Sequence, residues 1–255
     1  MNPVPALRDL YASHTGKVSD KWSLYLDVYD AAFSRFRDRP IAFAEIGVQN
    51  GGSLELWARY FAQATIVLGC DIDPKCGALA FDDPRIAVIV GDVNTEPTYR
   101  AILSRAPLFD VFIDDGSHTS RDIITTFCNY FRHVRAGGIY AIEDLHCSYM
   151  KGWGGGADHP DTSMEFLKRL ADWVNLPWWQ ADRAPASLLA PFFPAGAGPD
   201  PAPFRAIRSV AFLDSMCLIE KRTATEVPGV GARVIVGDEA AVSAGPLEFR
   251  RASRG

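Results

Sequence analysis

Asp110-Val-Phe-Ile-Asp-Asp-Gly-Ser-His118 and Gly138-Ile-Tyr-Ala-Ile-Glu-Asp144 are two short apolar runs, and each stops at a pair of acidic residues. An apolar run of this length with such punctuation reads as a buried strand. Open α/β sheets place their ligand sites outside the carboxyl ends of the strands. Four carboxylates and a histidine at two strand exits therefore point to a hard-metal site with a general base beside it.

Outward from these runs the same unit recurs. Strands are expected at 41–48, 65–71, 85–90, 109–113 and 139–142, with helices at 53–63, 95–105 and 119–134 between them. Ser53 is the expected N-cap of the first of these helices, and Gly137-Gly138 the C-cap signal of the last. Alternation of this kind specifies a parallel sheet with helices on both faces. A helix over 21–37 carries an aromatic stripe, Trp22, Tyr25, Tyr29, Phe33 and Phe36, at the 3.6-residue period expected of a core-facing surface. Another helix is expected at 163–174. The Pro-, Ala- and Gly-rich stretch 175–204 reads as a long surface or lid segment. Strands at 207–213 and 216–221, joined by Asp214-Ser215, form an antiparallel hairpin. Beyond Thr223 only Arg233-Val-Ile-Val236 is expected to be ordered, with the last ten or so residues frayed.

The chain has 255 residues, enough for one large α/β domain, and its hydrophobic (48%) and charged (22%) fractions are those of a globular protein. A formal net charge of -5 argues against nucleic acid or an anionic membrane as the main partner. No apolar run approaches the roughly 18 residues of a membrane span. The start, Met1 to Ala6, lacks the basic and apolar regions of a signal peptide. The cysteines at 70, 76, 128, 147 and 217 are odd in number and include no Cys-x-x-Cys, so they read as buried thiols in a reducing cytoplasm.

Glu45-Ile-Gly-Val-Gln-Asn-Gly-Gly-Ser53 joins the first strand to its helix. A glycine turn at a helix N-terminus makes a nucleotide or anion cradle. Its glycines, at 47, 51 and 52, do not follow the dinucleotide GxGxxG fingerprint. An acid at the strand end with this looser pattern suits S-adenosylmethionine, whose amino-acid end wants both an acid and backbone amides. That assigns Glu45, Gly47, Asn50, Gly51 and Ser53 to the cofactor. Asp71, about 20 residues past the turn, is placed to accept both ribose hydroxyls. Asp92, at the third strand's end, is placed to meet the adenine amino group. Asp115 and Glu143 are one strand–helix–strand unit apart, so their carboxylates exit neighbouring strands about 4.8 Å apart. Asp115, Glu143 and Asp144 offer oxygen donors suited to Mg²⁺; no Cys/His spacing suggests Zn²⁺. His118 is placed to take a proton from a hydroxyl at that metal. Asp114 falls on the cofactor side, and a one-residue shift would exchange it with Asp115. His146 is a candidate substrate contact, and Tyr149 and Trp153 are candidate aromatic substrate contacts.

These motifs resemble the metal-dependent class I S-adenosylmethionine O-methyltransferases that act on sugar hydroxyls, of the macrolide and rhamnosyl (mycinamicin) type. The likeness runs over roughly 15–222: Asp20-Lys-Trp22, the glycine turn, Asp71-Ile-Asp-Pro74, Gly91-Asp92, Ile113-Asp-Asp-Gly-Ser-His118, Gly137-Gly-Ile-Tyr140, Ile142-Glu-Asp-Leu145, Ser148-Tyr149 leading to Gly154-Gly-Gly156, and Ser209-Val-Ala-Phe212 through Glu220-Lys221. The pairing of Asp-Asp-Gly-Ser-His with Glu-Asp-Leu is its specific part. The resemblance implies Asp115, Glu143 and Asp144 as Mg²⁺ ligands and His118 as the base. Larger relatives carry an additional N-terminal domain that has no counterpart in these residues, and 175–204 has no match.

The expectation is a Rossmann-like class I methyltransferase with a mostly parallel seven-stranded sheet and a C-terminal antiparallel hairpin. It is divided into an N-terminal helical lid segment (1–40), a methyltransferase domain (41–222) and a partly flexible extension (223–255). It would transfer a methyl group from S-adenosylmethionine, with Mg²⁺, to a sugar or glycoside hydroxyl in the cytoplasm. Neither nucleic acid nor a membrane is expected as partner, and a homo-oligomer is left open. The alternatives are a catechol-type O-methyltransferase, a nicotinamide oxidoreductase, which the glycine spacing disfavours, and a non-catalytic cofactor-binding module.

Overall fold

Strand alternation decides how this chain is put together. In the computed structural model, which describes residues 5–179 and 184–252, β1 (Ala42–Ile46), β2 (Ile66–Asp71), β3 (Ile86–Val90), β4 (Phe109–Asp114) and β5 (Val134–Ile142) pair in parallel. β6 (Ile207–Leu213) and β7 (Met216–Lys221) form an antiparallel hairpin that joins β5 through β7. The order is β3-β2-β1-β4-β5-β7-β6, a Rossmann-like class I methyltransferase sheet.

Each central strand is buried on both faces, and successive residues enter different cores. Ala42, Ala44, Ile46, Phe112, Tyr140 and Ile142 point to one side. There they meet Ile102 of α4 (Glu96–Arg105), Ile123 and Phe127 of α5 (Ser120–Tyr130), and Phe166 and Leu170 of α6 (Ser163–Val174). Phe43, Val111, Ile113, Ile139 and Ala141 point to the other. There they meet α1 (Leu7–Ala12), α2 (Ser23–Phe33) and α3 (Gly52–Tyr60), whose Tyr25, Tyr29, Phe33 and Trp57 are buried. Each large apolar side chain buried in this way contributes about 1.5–3 kcal/mol.

The N-terminal 1–40 segment, of which residues 1–4 lie outside the described residues, supplies Leu7, Leu10, Tyr25, Leu26, Tyr29, Phe33 and Phe36 to one core, and its Val18 to Trp22 line the larger of the cavities at the sheet rim. Trp22, at the head of its stripe, is an exception to the core-facing expectation, with 62% of its surface exposed.

Several expectations are corrected. α3 starts at Gly52 with Gly51 as its N-cap at φ 84°, and Ser53, one residue inside, donates its hydroxyl to Glu45 instead of capping. Gly137-Gly138 does not end a helix. α5 stops at Tyr130, β5 starts at Val134, and the two glycines lie where the β4–β5 register shifts. A Cβ on Gly138 would come within 2.6 Å of the Asp110 carbonyl oxygen, so close strand approach is the reason for glycine there. The stretch 175–204, whose residues 180–183 lie outside the described residues, is no lid over the site: Leu188, Leu189 and Phe204 are buried in the α5–α6 core, with Phe192 against Phe166. Arg233 to Val236 forms no strand; Val234 and Val236 are exposed. The expected frayed end contains α7 (Gly245–Ala252), and 253–255 lie outside the described residues. Among the described residues no helix is long and apolar enough to cross a membrane, and the five cysteines are free.

Candidate active site

At the carboxyl ends of β1, β3 and β4 the parallel pairing continues one step into the loops. Gly47 N–H donates to Cys70 O (2.8 Å), Asp115 N–H to Ile46 O (2.9 Å) and Gly91 N–H to Asp71 O (2.8 Å). Gly47 has φ 94°, and a Cβ there would lie 2.0 Å from the Asp115 carbonyl oxygen. Gly47→Ala is therefore expected to lower stability by at least the ~1–3 kcal/mol of a strained backbone; a Tm equal to the parent's would show that the β1 and β4 loops can part without cost.

Asp71 ties the glycine loop to β2. Its Oδ2 accepts from Val48 N–H (2.8 Å) and Gln49 N–H (2.9 Å), and its Oδ1 from Asp73 N–H (2.9 Å). Burial raises the Asp71 carboxyl, but these backbone donors outweigh it and hold the group below the usual carboxylate range. Gly51 N–H is taken by Val48 O and Gly52 N–H by Val18 O. Four amides of the expected anion cradle are thus already paired, two of them with a carboxylate. The loop therefore offers a phosphate group few free amides, which disfavours a dinucleotide.

Two cavities meet at this rim. The larger, about 760 Å³, is lined among others by Gly47, Asn50, Ser53, Asp71, Asp115, His118, Glu143 and Asp144, with Val18 to Trp22 from the N-terminal segment. The smaller, about 210 Å³, is lined by Asp71, Asp92, Asp114, Ser117, Asp122 and Thr126 among others. Gly47, Asp71 and Gly116 belong to both. Asp114 lies on the Phe112 side of the sheet and reaches the smaller cavity, whereas Asp115 reaches the larger. Burial, with the charge of Asp115 adding to it, pushes the Asp114 carboxyl up to about 7 against the Gly116 N–H and the Tyr140 hydroxyl. Gly51 and Glu45 line neither cavity.

Glu45 is the clearest correction among the expected cofactor residues. It sits on the Phe43 side of β1, completely buried beneath α2 and α3. Its Oε2 accepts from Ser53 Oγ (2.5 Å), and its Oε1 accepts from Trp57 Nε1 (3.2 Å) and pairs with Lys21 Nζ (3.1 Å). Both carboxylate oxygens are engaged inside the protein.

Glu143 points to the same face of β5. Its Oε1 accepts from Tyr29 OH (2.6 Å) and pairs with Lys21 Nζ (2.8 Å); Lys21 also meets Asp115 Oδ2 at 2.5 Å. Lys21 is only 2% exposed. Burial disfavours its charge, yet Glu143, Glu45 and Asp115 outweigh burial and keep the ammonium protonated. One cation among three acids does not neutralise them, so burial and mutual repulsion push Glu143 and Asp115 above the carboxylate range.

The expected metal ligands divide into two clusters that share Asp115. Ligand atoms of Asp115, His118 and Asp144 lie within 4.8 Å of one another, as do those of Glu45, Asp115 and Glu143. Lys21 occupies the second cluster. The first is open to the larger cavity, with His118 Nε2 3.7 Å from Asp144 Oδ2. Hard oxygen donors with one imidazole fit a divalent cation that keeps several waters.

Gln49 (φ 50°), His118 (φ 56°), Asp144 (φ 54°) and Ser215 (φ 63°) are the non-glycine residues with left-handed backbone among those described; the first three line the larger cavity and Ser215 a neighbouring groove. Such strain gathers where a site fixes side chains at a cost to the backbone. His146 Nδ1 lies 2.5 Å from Ser215 Oγ and its ring meets Trp22 edge-on. Trp22, Leu24, Tyr25, His146 and Ser215 line a neighbouring, mostly apolar groove of about 380 Å³. Tyr149 and Trp153 are exposed and stand outside the lining of these three cavities. Sequence reasoning missed Lys21, Tyr25 and Tyr29 as site residues. The available signal was their four-residue spacing, which puts them on one helix face.

No protein-family model matches the sequence. The chain is 34% identical over 230 residues to the 8-demethyl-8-alpha-L-rhamnosyl tetracenomycin-C 2'-O-methyltransferase of Streptomyces olivaceus, covering 86% of this chain and 55% of that protein. It is 39% identical over 157 residues to the mycinamicin VI 2''-O-methyltransferase of Micromonospora griseorubida, covering 58% of this chain and 38% of that one. The chain spans about half the length, or less, of the curated relatives it matches. Among solved structures, the MycE methyltransferase of mycinamycin biosynthesis in complex with Mg and SAH superposes with a TM-score of 0.71 at 29% identity, over 87% of this chain and 56% of that chain.

Proposed function

We propose that this chain, which is similar in sequence and fold to the sugar O-methyltransferases of the mycinamicin type, transfers a methyl group from S-adenosylmethionine to a hydroxyl of a sugar or glycoside, with Mg²⁺. The observation that carries this reading is the open cluster of Asp115, His118 and Asp144 at the mouth of a two-part cavity with Asp71 at its waist.

The donors suit both groups. The glycine loop spends its amides on Asp71 and Val18, and the cleft is rich in acids. Such a surface favours a cofactor that has a sulfonium and an ammonium and carries no phosphate. Asp71, at the junction, takes the ribose hydroxyls, Asp92 and Asp114 bound the adenine side, and Gly47, Asn50 and Ser53 bound the larger cavity. Asp115 and Asp144, with Glu143 beside Asp115, hold the cation. When bound, the cation lowers the acceptor hydroxyl's pKa and fixes its direction. His118 would take the hydroxyl proton, and the methyl group would pass to that oxygen as its bond to sulfur breaks, leaving S-adenosylhomocysteine. His146 and Trp22 face the apolar groove next to the metal side and bound the rest of the acceptor.

Asp71→Ala is expected to weaken S-adenosylmethionine by about 1–3 kcal/mol, the worth of charged hydrogen bonds, in a calorimetric titration; an unchanged Kd would move the ribose contact elsewhere. The acceptor class is tested by a methyl-transfer screen over glycosides, free oligosaccharides and catechols with Mg²⁺ present. Transfer to sugar hydroxyls is expected; transfer to catechols alone would overturn the sugar reading.

A further inference from the structure

The geometry points to residues 21–29 as the outer support of the cation site: Lys21, Trp22, Tyr25 and Tyr29 fix one oxygen of each acidic side chain there, and so set which oxygen remains for the metal. The inference rests on the functional reading above but concerns residues to which that reading gives no role toward the metal.

The pattern is complete over the three acids. Asp115 gives Oδ2 to Lys21 Nζ (2.5 Å). Glu143 gives Oε1 to Lys21 Nζ (2.8 Å) and Tyr29 OH (2.6 Å). Asp144 gives Oδ1 to Tyr25 OH (2.7 Å) and Trp22 Nε1 (3.1 Å). Among the described residues, the second oxygens of Asp115 and Glu143 receive no hydrogen bond, and that of Asp144 stands 3.7 Å from His118 Nε2. All the donors come from one short stretch. Lys21, Tyr25 and Tyr29 repeat every four residues, so one face of α2 and its leading turn delivers them together. Lys21 is anchored further by Glu45, which Ser53 and Trp57 lock in turn. The carboxylates are therefore pinned from behind by buried groups whose positions the core dictates.

Charge makes the inference testable by sign. If Lys21 merely occupied space near the acids, removing it would leave more negative charge and tighten cation binding. If it positions Asp115 and Glu143, removing it frees both carboxylates to turn, and binding weakens. Loss of an outer partner of a metal ligand typically costs about 10–100-fold in metal affinity.

The experiment is a titration of the whole chain with Mn²⁺ followed by electron paramagnetic resonance, repeated with Mg²⁺ by calorimetry. Lys21→Met is expected to weaken the cation about 10–100-fold, with S-adenosylhomocysteine affinity held. Because Lys21→Met leaves acids without a counter-ion and can fail to fold, Tyr29→Phe and Tyr25→Phe are run beside it. Each removes one hydroxyl, leaves no new charge, and is expected to shift cation affinity in the same direction. Equal or tighter cation binding in the folded variants would overturn the positioning role and leave the functional reading intact. No cation binding by the native chain would remove that reading, and this inference with it.

Discussion

Stripping divalent cations with a chelator is expected to stop methyl transfer, and Mg²⁺ is expected to restore it. Asp115, Glu143 and Asp144 stand at one rim with Glu45 buried beneath Asp115 and Glu143, and Lys21 is the buried ammonium that pairs with Glu45, Asp115 and Glu143. A group of acids at the exits of β4 and β5 that one lysine only partly compensates is costly unless a further cation shares it. Asp115 belongs to both clusters, so Asp115→Ala is the sharpest single test. Turnover should fall at least ~10²–10³-fold, the scale of losing one preorganised electrostatic group. The cation's Kd should rise in parallel. Full activity in chelator, or Asp115→Ala turning over like the parent, would remove the metal from the reaction.

Much of this arrangement was legible in the chain because it rests on period-two alternation. The residue pattern of β4 puts Phe112 in one core and Val111 and Ile113 in the other, and the same parity sends Asp114 to the smaller cavity and Asp115 to the larger. Parity also explains the errors. Glu45 shares the side of Phe43, so it turns under α3 rather than out to a ligand. Gly137-Gly138 carried a helix-end signature, but glycine serves equally where two strands crowd, and only the Asp110 carbonyl distinguishes the two. Spacing puts Lys21 on the Tyr25–Tyr29 face, but its partners cannot be read locally. Its partners are Glu45, Asp115 and Glu143, and Asp115 is 94 residues away. A lysine at the start of an amphipathic helix reads as solvent-facing unless the sheet above it is already known. In the same way, the Pro- and Gly-rich stretch before β6 looked like a lid because composition reports local stiffness, whereas Leu188, Leu189 and Phe204 were free to find the α5–α6 core.

His118→Ala is the other large effect, and it separates the two roles open to that ring. His118 sits at φ 56°, a backbone conformation in which histidine is enriched over most residues but which still costs stability. Its Nε2 lies 3.7 Å from Asp144 Oδ2 within the open cluster, and the residue lines the larger cavity. A base in that position takes the proton of a hydroxyl delivered beside Asp115 and Asp144, and its loss should lower turnover ~10²–10⁴-fold. S-adenosylmethionine binding should stay near the parent's, since Asp92 and Asp114 line the smaller cavity, which His118 does not, and Asp71 is held at the junction by backbone amides. The cation's Kd is the deciding measurement. His118 belongs to one of the two clusters able to bind a cation, so a ring that ligates the metal would lose cation affinity and activity together. A ring that acts as base would lose activity alone. Turnover reduced with both dissociation constants unchanged is the expected result; a parallel loss of cation affinity would reassign His118 as a ligand and leave the proton to another acceptor.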